Sequence, residues 1–210
     1  MFRAFTAGFV DTVGFFALFG LFTAHVTGNF VVIGASLAHS APGAIAKLLA
    51  LPMFVLGVAG TRYFLHVLER KKMPAKAPLL GAEIACLLAF MVAGYLAGPF
   101  SNANSGPAIA TSMLGVLAMA IQNATSRTIF SDIGPTTVMT SSVTQLVIDG
   151  LDMGMRVAKP AAVARFNKTW PPILAFAVGA IGGGFCFLYA GFLSLLVPSL
   201  ALVYLLPRKD

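Results

Sequence analysis

Six stretches of the chain are long and apolar enough to form membrane-spanning helices, because about 20 residues cross a hydrocarbon core of about 30 Å. They cover residues 4–22, 45–67, 77–98, 108–130, 170–190 and 192–207. The last two belong to one uncharged run, from Pro171 to Leu206, that is too long for a single crossing. We therefore predict a tight hairpin near Gly191.

Two further stretches, 23–38 and 136–152, are apolar but short, and they are rich in Thr, Ser, Gly and Asn. The blocks of basic residues decide how to interpret these stretches, because the blocks fall at Arg3, within 69–76, within 156–168 and at 208–209. If neither short stretch crosses, six spans place all four basic blocks on the cytoplasmic side, as the positive-inside rule requires. We therefore predict two re-entrant segments and cytoplasmic termini rather than eight spans.

This pattern predicts two halves, 1–103 and 104–210, each with one span, one re-entrant segment and two more spans. Residues 23–29 (TAHVTGN) align without gaps to 136–142 (TTVMTSS). Because each half has three crossings, the second half is inverted relative to the first, as in many transporters. The predicted fold is thus an all-α, polytopic membrane protein with six transmembrane helices and two re-entrant half-helices.

The composition agrees with a membrane protein and excludes a soluble or disordered one. Hydrophobic residues make up 58% of the chain and charged residues only 10%, against about 25% in an ordinary soluble domain. The net charge of +7 comes from short basic blocks between apolar runs, which is typical of topology signals and not of nucleic-acid binding. The first apolar run lacks a cleavage site, so we expect a retained span rather than a signal peptide.

A resemblance to a known family rests on four features: residues 11–34 (DTVGFFALFGLFTAHVTGNFVVIG), the TGN at 27–29, the Gln122–Asn123 pair and the VMT at 138–140. Together they resemble the YoaK-like family of uncharacterised bacterial inner-membrane proteins, which carry a domain of unknown function. The resemblance extends over most of the chain in order. It implies a permease-like protein of the bacterial inner membrane with about six spans and no known substrate.

The two re-entrant segments supply the candidate binding site. Four extended residues reach about 13 Å, and ten helical residues return about 15 Å, each half of a bilayer core. Half-helices at 29–38 and 141–150, capped by Thr27 and Thr140, would begin near the midplane, where helix N-termini favour anions or polar oxygens. The predicted substrate-binding residues are Thr27, Gly28, Asn29, Thr140, Ser141 and Ser142. Alternatively, the hydroxyls bond backbone carbonyls and the glycine only permits close packing.

Asp11 lies within the first span, where a carboxylate is expensive and therefore a candidate for proton coupling. It could instead be a hydrogen-bonded residue that locks this span against a neighbour. His25 is a second candidate for proton coupling, although a lone histidine there is more often a packing donor. Gln122 and Asn123 occupy the corresponding position in the second half and would extend the polar lining, or else hydrogen-bond between helices.

Several other features are open to two interpretations. Arg62 and Arg127 lie near the cytoplasmic ends of their spans, where they anchor topology or draw anions toward an inward mouth, and Glu83 could pair with either. Gly94–Gly98 and Gly179–Gly183 match the GxxxG pattern of close helix contacts. With a mass of 21.9 kDa, such faces are compatible with a homodimer.

No enzyme motif occurs in the chain. The local Ser/His grouping of Ser36 with His25 or His39 has no catalytic spacing, and no metal or cofactor pattern is present. We therefore expect no enzyme activity, no cofactor and no metal site. The expected partners are the lipid bilayer and a small polar or anionic solute, carried by a transporter or channel. The alternative is a non-transporting membrane scaffold or partner subunit, in which the polar residues only join helices.

Overall fold

The computed structural model describes residues 1–39, 43–130 and 139–207. Regular secondary structure in these ranges is helical, which confirms the all-α prediction. The helices are α1 (Phe2–Ala17), α2 (Gly28–His39), α3 (Ala44–Arg70), α4 (Lys76–Ala97), α5 (Gly106–Thr128), α6 (Met139–Gly154), α7 (Pro160–Ala190) and α8 (Leu196–Val203), and a 3-10 turn at Gly191–Leu195 precedes α8.

Four stretches of the described chain are long and apolar enough to cross a membrane: α3, α4, α5 and the stretch from α7 through α8. The outer faces of α3, α4 and α7 carry large exposed side chains such as Leu56, Leu96 and Leu188, each at least two-thirds exposed. Exposed apolar faces of this extent belong in lipid. The chain is therefore a helical membrane protein with several apolar helices.

α5 lies at the centre of one group of helices and packs against α3 and α4. It is the least apolar of the four candidate spans and the most buried, with 67% of its most apolar window inside the protein. α1 packs chiefly against α7, and α2 packs on α3. Helices from both predicted halves are thus packed together.

Glycines allow α1 and α7 to approach closely. A Cβ atom at Gly179 would lie 2.1 Å from the carbonyl oxygen of Phe5, and one at Gly183 would lie 2.6 Å from that of Phe9. On the other GxxxG stretch, a Cβ at Gly94 would lie 2.2 Å from the ring of Phe192. Both pairs therefore make contacts inside one chain, and a homodimer would need another surface.

The ends of two predicted elements differ from the structure. α1 ends at Ala17 and not at residue 22, because Phe19 and Gly20 take positive φ angles of 56° and 78° and turn the chain back. α7 begins at Pro160 and not at 170, since the basic stretch 160–168 continues the helix beyond the apolar run. The basic residues of this stretch, whose charge suggested a loop outside the membrane, therefore belong to a 31-residue helix.

The break predicted near Gly191 is present, but the span predicted over 192–207 is not a single crossing helix. Gly191 ends α7 with a φ of 54°, and the 3-10 turn and the eight-residue α8 follow. α8 packs on α1 and α4. The hydroxyls of Ser194 and Ser199 donate to backbone carbonyls within this stretch, which satisfies them without a polar partner elsewhere.

Candidate functional site

The segment between α1 and α2 returns along α1 and wraps around Asp11. The Asp11 Oδ1 atom accepts hydrogen bonds from the backbone N–H groups of Thr23 at 2.7 Å and Ala24 at 2.8 Å. The Thr23 hydroxyl lies 3.3 Å from the same oxygen. Because a carboxylate makes strong bonds to N–H groups, Asp11 holds this buried turn in place.

Residues 23–27, predicted as an extended approach to a half-helix, form bends and turns, and a helix follows them. The half-helix predicted at 29–38 is α2, which begins and ends within one residue of that range. The turn lies beside Asp11, about 14 Å along α1 from Phe2 at 1.5 Å per residue. This arrangement places polar backbone beside the middle of α1, where it must be covered by protein or line a wet cavity.

Asn29, predicted to bind substrate, is instead committed to the protein's own backbone. Its Oδ1 accepts from the N–H of Phe22 at 2.9 Å, and its Nδ2 donates to the carbonyl of Phe22 at 2.9 Å. The side chain is 2% exposed. Asn29 therefore clamps the start of α2 to the returning segment.

The N-terminus of α2 offers fewer free donors than the sequence suggests. The N–H groups of Gly28, Asn29 and Phe30 donate to the carbonyls of His25, Val26 and Thr27 respectively, at 2.8 to 3.2 Å. These short-range bonds satisfy three of the N–H groups that a helix start normally leaves open. The structure thus weakens the argument for an anion at this helix end.

A cavity of about 510 Å³ lies between α1, α7 and the returning segment. Its polar groups are the Asp11 carboxylate, the Thr12 hydroxyl and the His25 imidazole, and three aromatic rings form much of the remaining wall. It is lined by Gly8, Asp11, Thr12, Phe15, Phe22, His25, Gly28, Phe176 and Ala180. Concave, mostly apolar sites with a few convergent polar groups are the usual places for small ligands.

The two proton-coupling candidates meet in this cavity. The Nδ1 atom of His25 lies 3.4 Å from the Oδ2 atom of Asp11, and the imidazole packs edge-on against the ring of Phe176 at 5.9 Å between centroids. The Asp11 side chain is 7% exposed, whereas that of His25 is 36% exposed. The pair therefore has one covered partner and one partner that reaches the open side of the cavity.

Several wall residues are absent from the predicted site. Thr12 follows Asp11 directly in the sequence, and a hydroxyl next to a carboxylate within an apolar run is the signal that points to it. Phe176 and Ala180 come from α7, and no local pattern links them to Asp11. Thr27, predicted to cap α2, is exposed, and Gly28 is one of the residues that line the cavity.

The cavity does not include the part of the predicted site that comes from the second half, Thr140, Ser141 and Ser142. Thr140 and Ser141 are exposed and Ser142 is half-buried on α6, a helix that packs against α7 and not extensively against α2. The half-helix predicted at 141–150 is longer, since α6 covers Met139–Gly154. Residues 136–138 and the basic pair at 208–209 lie outside the described residues.

α6 is attached to the basic end of α7 by an ion pair. Arg165 donates to both carboxylate oxygens of Asp149, with its Nε at 2.8 Å, and Gln145 donates to the same group at 2.9 Å. These hydrogen bonds, that of Arg165 first, hold the pKa of Asp149 below its ordinary value. Because residue 165 lies in the basic stretch, this contact holds α6 near one end of α7 and away from the cavity.

Gln122 belongs to a separate buried cluster at the start of α1. Its Nε2 donates to the backbone carbonyl of Arg3 at 2.7 Å, and the Arg3 guanidinium donates to the backbone carbonyl of Gln122 at 2.9 Å. Arg3 also bonds Glu83 at 3.1 Å, and its guanidinium lies 4.5 Å from the ring centroid of Phe130. Glu83 therefore pairs with Arg3 and not with Arg62 or Arg127, and Gln122 joins helices instead of lining the cavity.

Asn123 does not line the cavity beside Asp11. Its Nδ2 donates to the carbonyl of Met119 at 3.0 Å, and the side chain lines a second cavity of about 380 Å³ between α3 and α5. Arg62 and Arg127 line the same cavity. In the part of the chain that the structure describes, no cluster of three or more His, Cys, Asp or Glu residues could hold a metal ion.

Comparison with known proteins shows the family of the chain and no more. The family model described as "Protein of unknown function (DUF1275)" matches residues 1–206, so the chain belongs to this uncharacterised family. Searches of curated proteins and of solved structures found no match. The function is therefore inferred from the geometry of the site.

Proposed function

We propose that this protein is a membrane transporter or channel for a small polar solute, and that the cavity beside Asp11 is its binding site. The observation that carries the proposal is the Asp11–His25 pair, which lines a cavity of about 510 Å³ where the chain turns between α1 and α2. An ionisable residue inside a membrane helix that faces a cavity is the usual mark of a substrate or proton pathway.

The geometry favours a neutral or cationic polar solute over an anion. A carboxylate lines the cavity, and the first three N–H groups of α2 are already bonded. Three phenylalanine rings also line the cavity, and aromatic rings attract cations through their quadrupoles. A proton on Asp11 would replace such a cation, and this exchange is the proposed coupling.

The proposed topology keeps six crossings and two re-entrant segments in the bacterial inner membrane, with cytoplasmic termini. The sixth crossing would be formed by the 3-10 turn and α8 together and not by one helix. The returning segment around Asp11 supports the first re-entrant element. The Asp149–Arg165 contact argues for a shallower position of the second, because it ties α6 to the basic end of α7. The two halves are therefore proposed to share the order of their elements in inverted orientation. They are not proposed to contribute equally to one binding site.

A non-transporting scaffold is the second candidate, and one set of contacts favours it. Asn29, Gln122 and Asn123 all use their amides on the protein's own backbone. Polar residues that only join helices need no water nearby. Access of water to the cavity therefore separates the two functions.

Thiol labelling tests this access. Cys86 and Cys186 are replaced by Ala, and a single cysteine is placed at Thr12, on the cavity wall, or at Leu56, on the lipid-facing side of α3. A charged, membrane-impermeant thiol reagent is then applied from each side of the membrane. We expect Thr12→Cys to react from at least one side and Leu56→Cys from neither.

Labelling is followed by a transport assay in proteoliposomes that contain a pH-sensitive dye. Small amines and neutral polar solutes are added outside, and proton movement is compared between the wild type and Asp11→Asn. Solute-dependent proton movement that Asp11→Asn abolishes would support the proposal. If Thr12→Cys reacts from neither side in the wild type and in Asp11→Asn, the scaffold becomes the better interpretation.

A further inference from the structure

A second cavity lies in the groove between α3 and α5. Phe54 and Val58 form its apolar part, and Arg62 and Arg127 form its basic end. The cavity encloses about 380 Å³ and shares no lining residue with the cavity beside Asp11. It is therefore independent of the proposed transport site.

The two arginines lie at the depth of lipid phosphates. Arg62 is 18 residues after the start of α3 and Arg127 is 21 residues after the start of α5, about 27 Å and about 32 Å along their helices at 1.5 Å per residue. A hydrocarbon core of about 30 Å would place both guanidinium groups at its cytoplasmic boundary. Lipid phosphates lie at this level, whereas a solute in water would not require the apolar groove beside it.

Both charges are available to an anion. Arg62 contacts Glu69 at 3.4 Å, but the two side chains are 58% and 52% exposed, and an exposed pair of this kind is weak. Among the described residues, no carboxylate lies within ion-pair distance of Arg127. Two guanidinium groups beside one cavity can bind the oxygens of a phosphate with several donors.

We infer that this groove binds an anionic phospholipid, with its phosphate between Arg62 and Arg127 and an acyl chain along Phe54 and Val58. A free phosphate ion and a lipid headgroup would both bind the two arginines through a phosphate group. The apolar half of the groove and its depth favour the lipid. Basic pockets between membrane helices on the cytoplasmic side are known to hold such headgroups.

Native mass spectrometry of the detergent-purified full chain tests the inference by counting bound lipid. Dioleoylphosphatidylglycerol is titrated against wild type, Arg62→Gln, Arg127→Gln and the double variant. We expect each single variant to weaken binding about fivefold and the double variant about 25-fold, from about 1 kcal/mol per basic residue. The matched control is Arg70→Gln, an exposed arginine at the same end of α3 that does not line the groove.

Two further arms make the result decisive. Glu69→Gln removes the carboxylate that competes for Arg62, so we expect tighter phosphatidylglycerol binding, a gain that misfolding cannot imitate. Inorganic phosphate and dioleoylphosphatidylcholine are titrated in place of the anionic lipid, and neither should match it. Equal losses in Arg70→Gln and the groove variants, no loss in the double variant, or equal binding of inorganic phosphate would each overturn the lipid site.

Discussion

Replacement of Asp11 by Ala should destabilise the protein more than replacement by Asn. The Asp11 Oδ1 atom accepts two short bonds from the N–H groups of Thr23 and Ala24, which are 0% and 5% exposed. Ala leaves both buried donors without a partner. Asn keeps a carbonyl oxygen that can accept both bonds, although without the charge.

The magnitudes follow from these two bonds. Hydrogen bonds to charged groups contribute about 1.5–3 kcal/mol each, so we expect Asp11→Ala to lower the free energy of unfolding by about 3–6 kcal/mol. Asp11→Asn retains neutral bonds and should lose about 1–2 kcal/mol. The control Glu69→Ala removes an exposed carboxylate and should change the free energy by no more than about 0.5 kcal/mol.

The free energy of unfolding can be measured by titration with sodium dodecyl sulfate in mixed micelles, followed by tryptophan fluorescence. The ranking, with Ala below Asn and Asn below wild type, is the decisive feature. If the Ala and Asn variants are equally stable, or both match Glu69→Ala, the carboxylate does not hold the turn.

Three other variants test the packing and the charges. Gly179→Ala should lower stability by about 1–3 kcal/mol in the same titration, since its Cβ would lie 2.1 Å from a carbonyl oxygen of α1, whereas Gly182→Ala, with nothing within 4 Å, should have no such effect. Glu83→Ala should lower it by about 3–5 kcal/mol, because the charge of Arg3 stays buried without its partner. The pKa of Asp149 is lowered from 3.8, so its contact stabilises α6 fully above that pH and is lost as the pH falls through the lowered value. Asp149→Asn at pH 7 should therefore accelerate amide hydrogen exchange in α6; an unchanged rate would show that the ion pair does not hold this helix.

Much of the fold could be predicted because its signals are local. The predicted spans 45–67, 77–98 and 108–130 end within three residues of α3, α4 and α5. The length of an apolar run is set by the bilayer, and each run is bounded by charged or glycine-rich residues. The bounds of the helix predicted at 29–38 are equally close to those of α2, since a short apolar run follows a polar stretch there.

The contacts of the polar residues could not be predicted, because their partners lie on other helices or across turns that no local pattern predicts. Glu83 pairs with Arg3 across 80 positions, yet Arg3 reads in the sequence as a topology signal. Asn29 bonds the backbone of Phe22 only because the chain turns around Asp11. The sequence thus identified which residues are unusual in a membrane, but not which of them face a cavity and which join helices.

Asp11 differs from the other buried polar residues because it has both roles. One carboxylate oxygen holds the turn at Thr23 and Ala24, and the other faces His25 at 3.4 Å in the cavity. A proton on this group would weaken the bonds that hold the wall of the cavity, so proton binding and the shape of the site would change together. Asp11→Asn imitates the protonated state, and on the proposed function it should change the labelling rate of Thr12→Cys. A scaffold would lose stability in this variant but keep the labelling of the wild type.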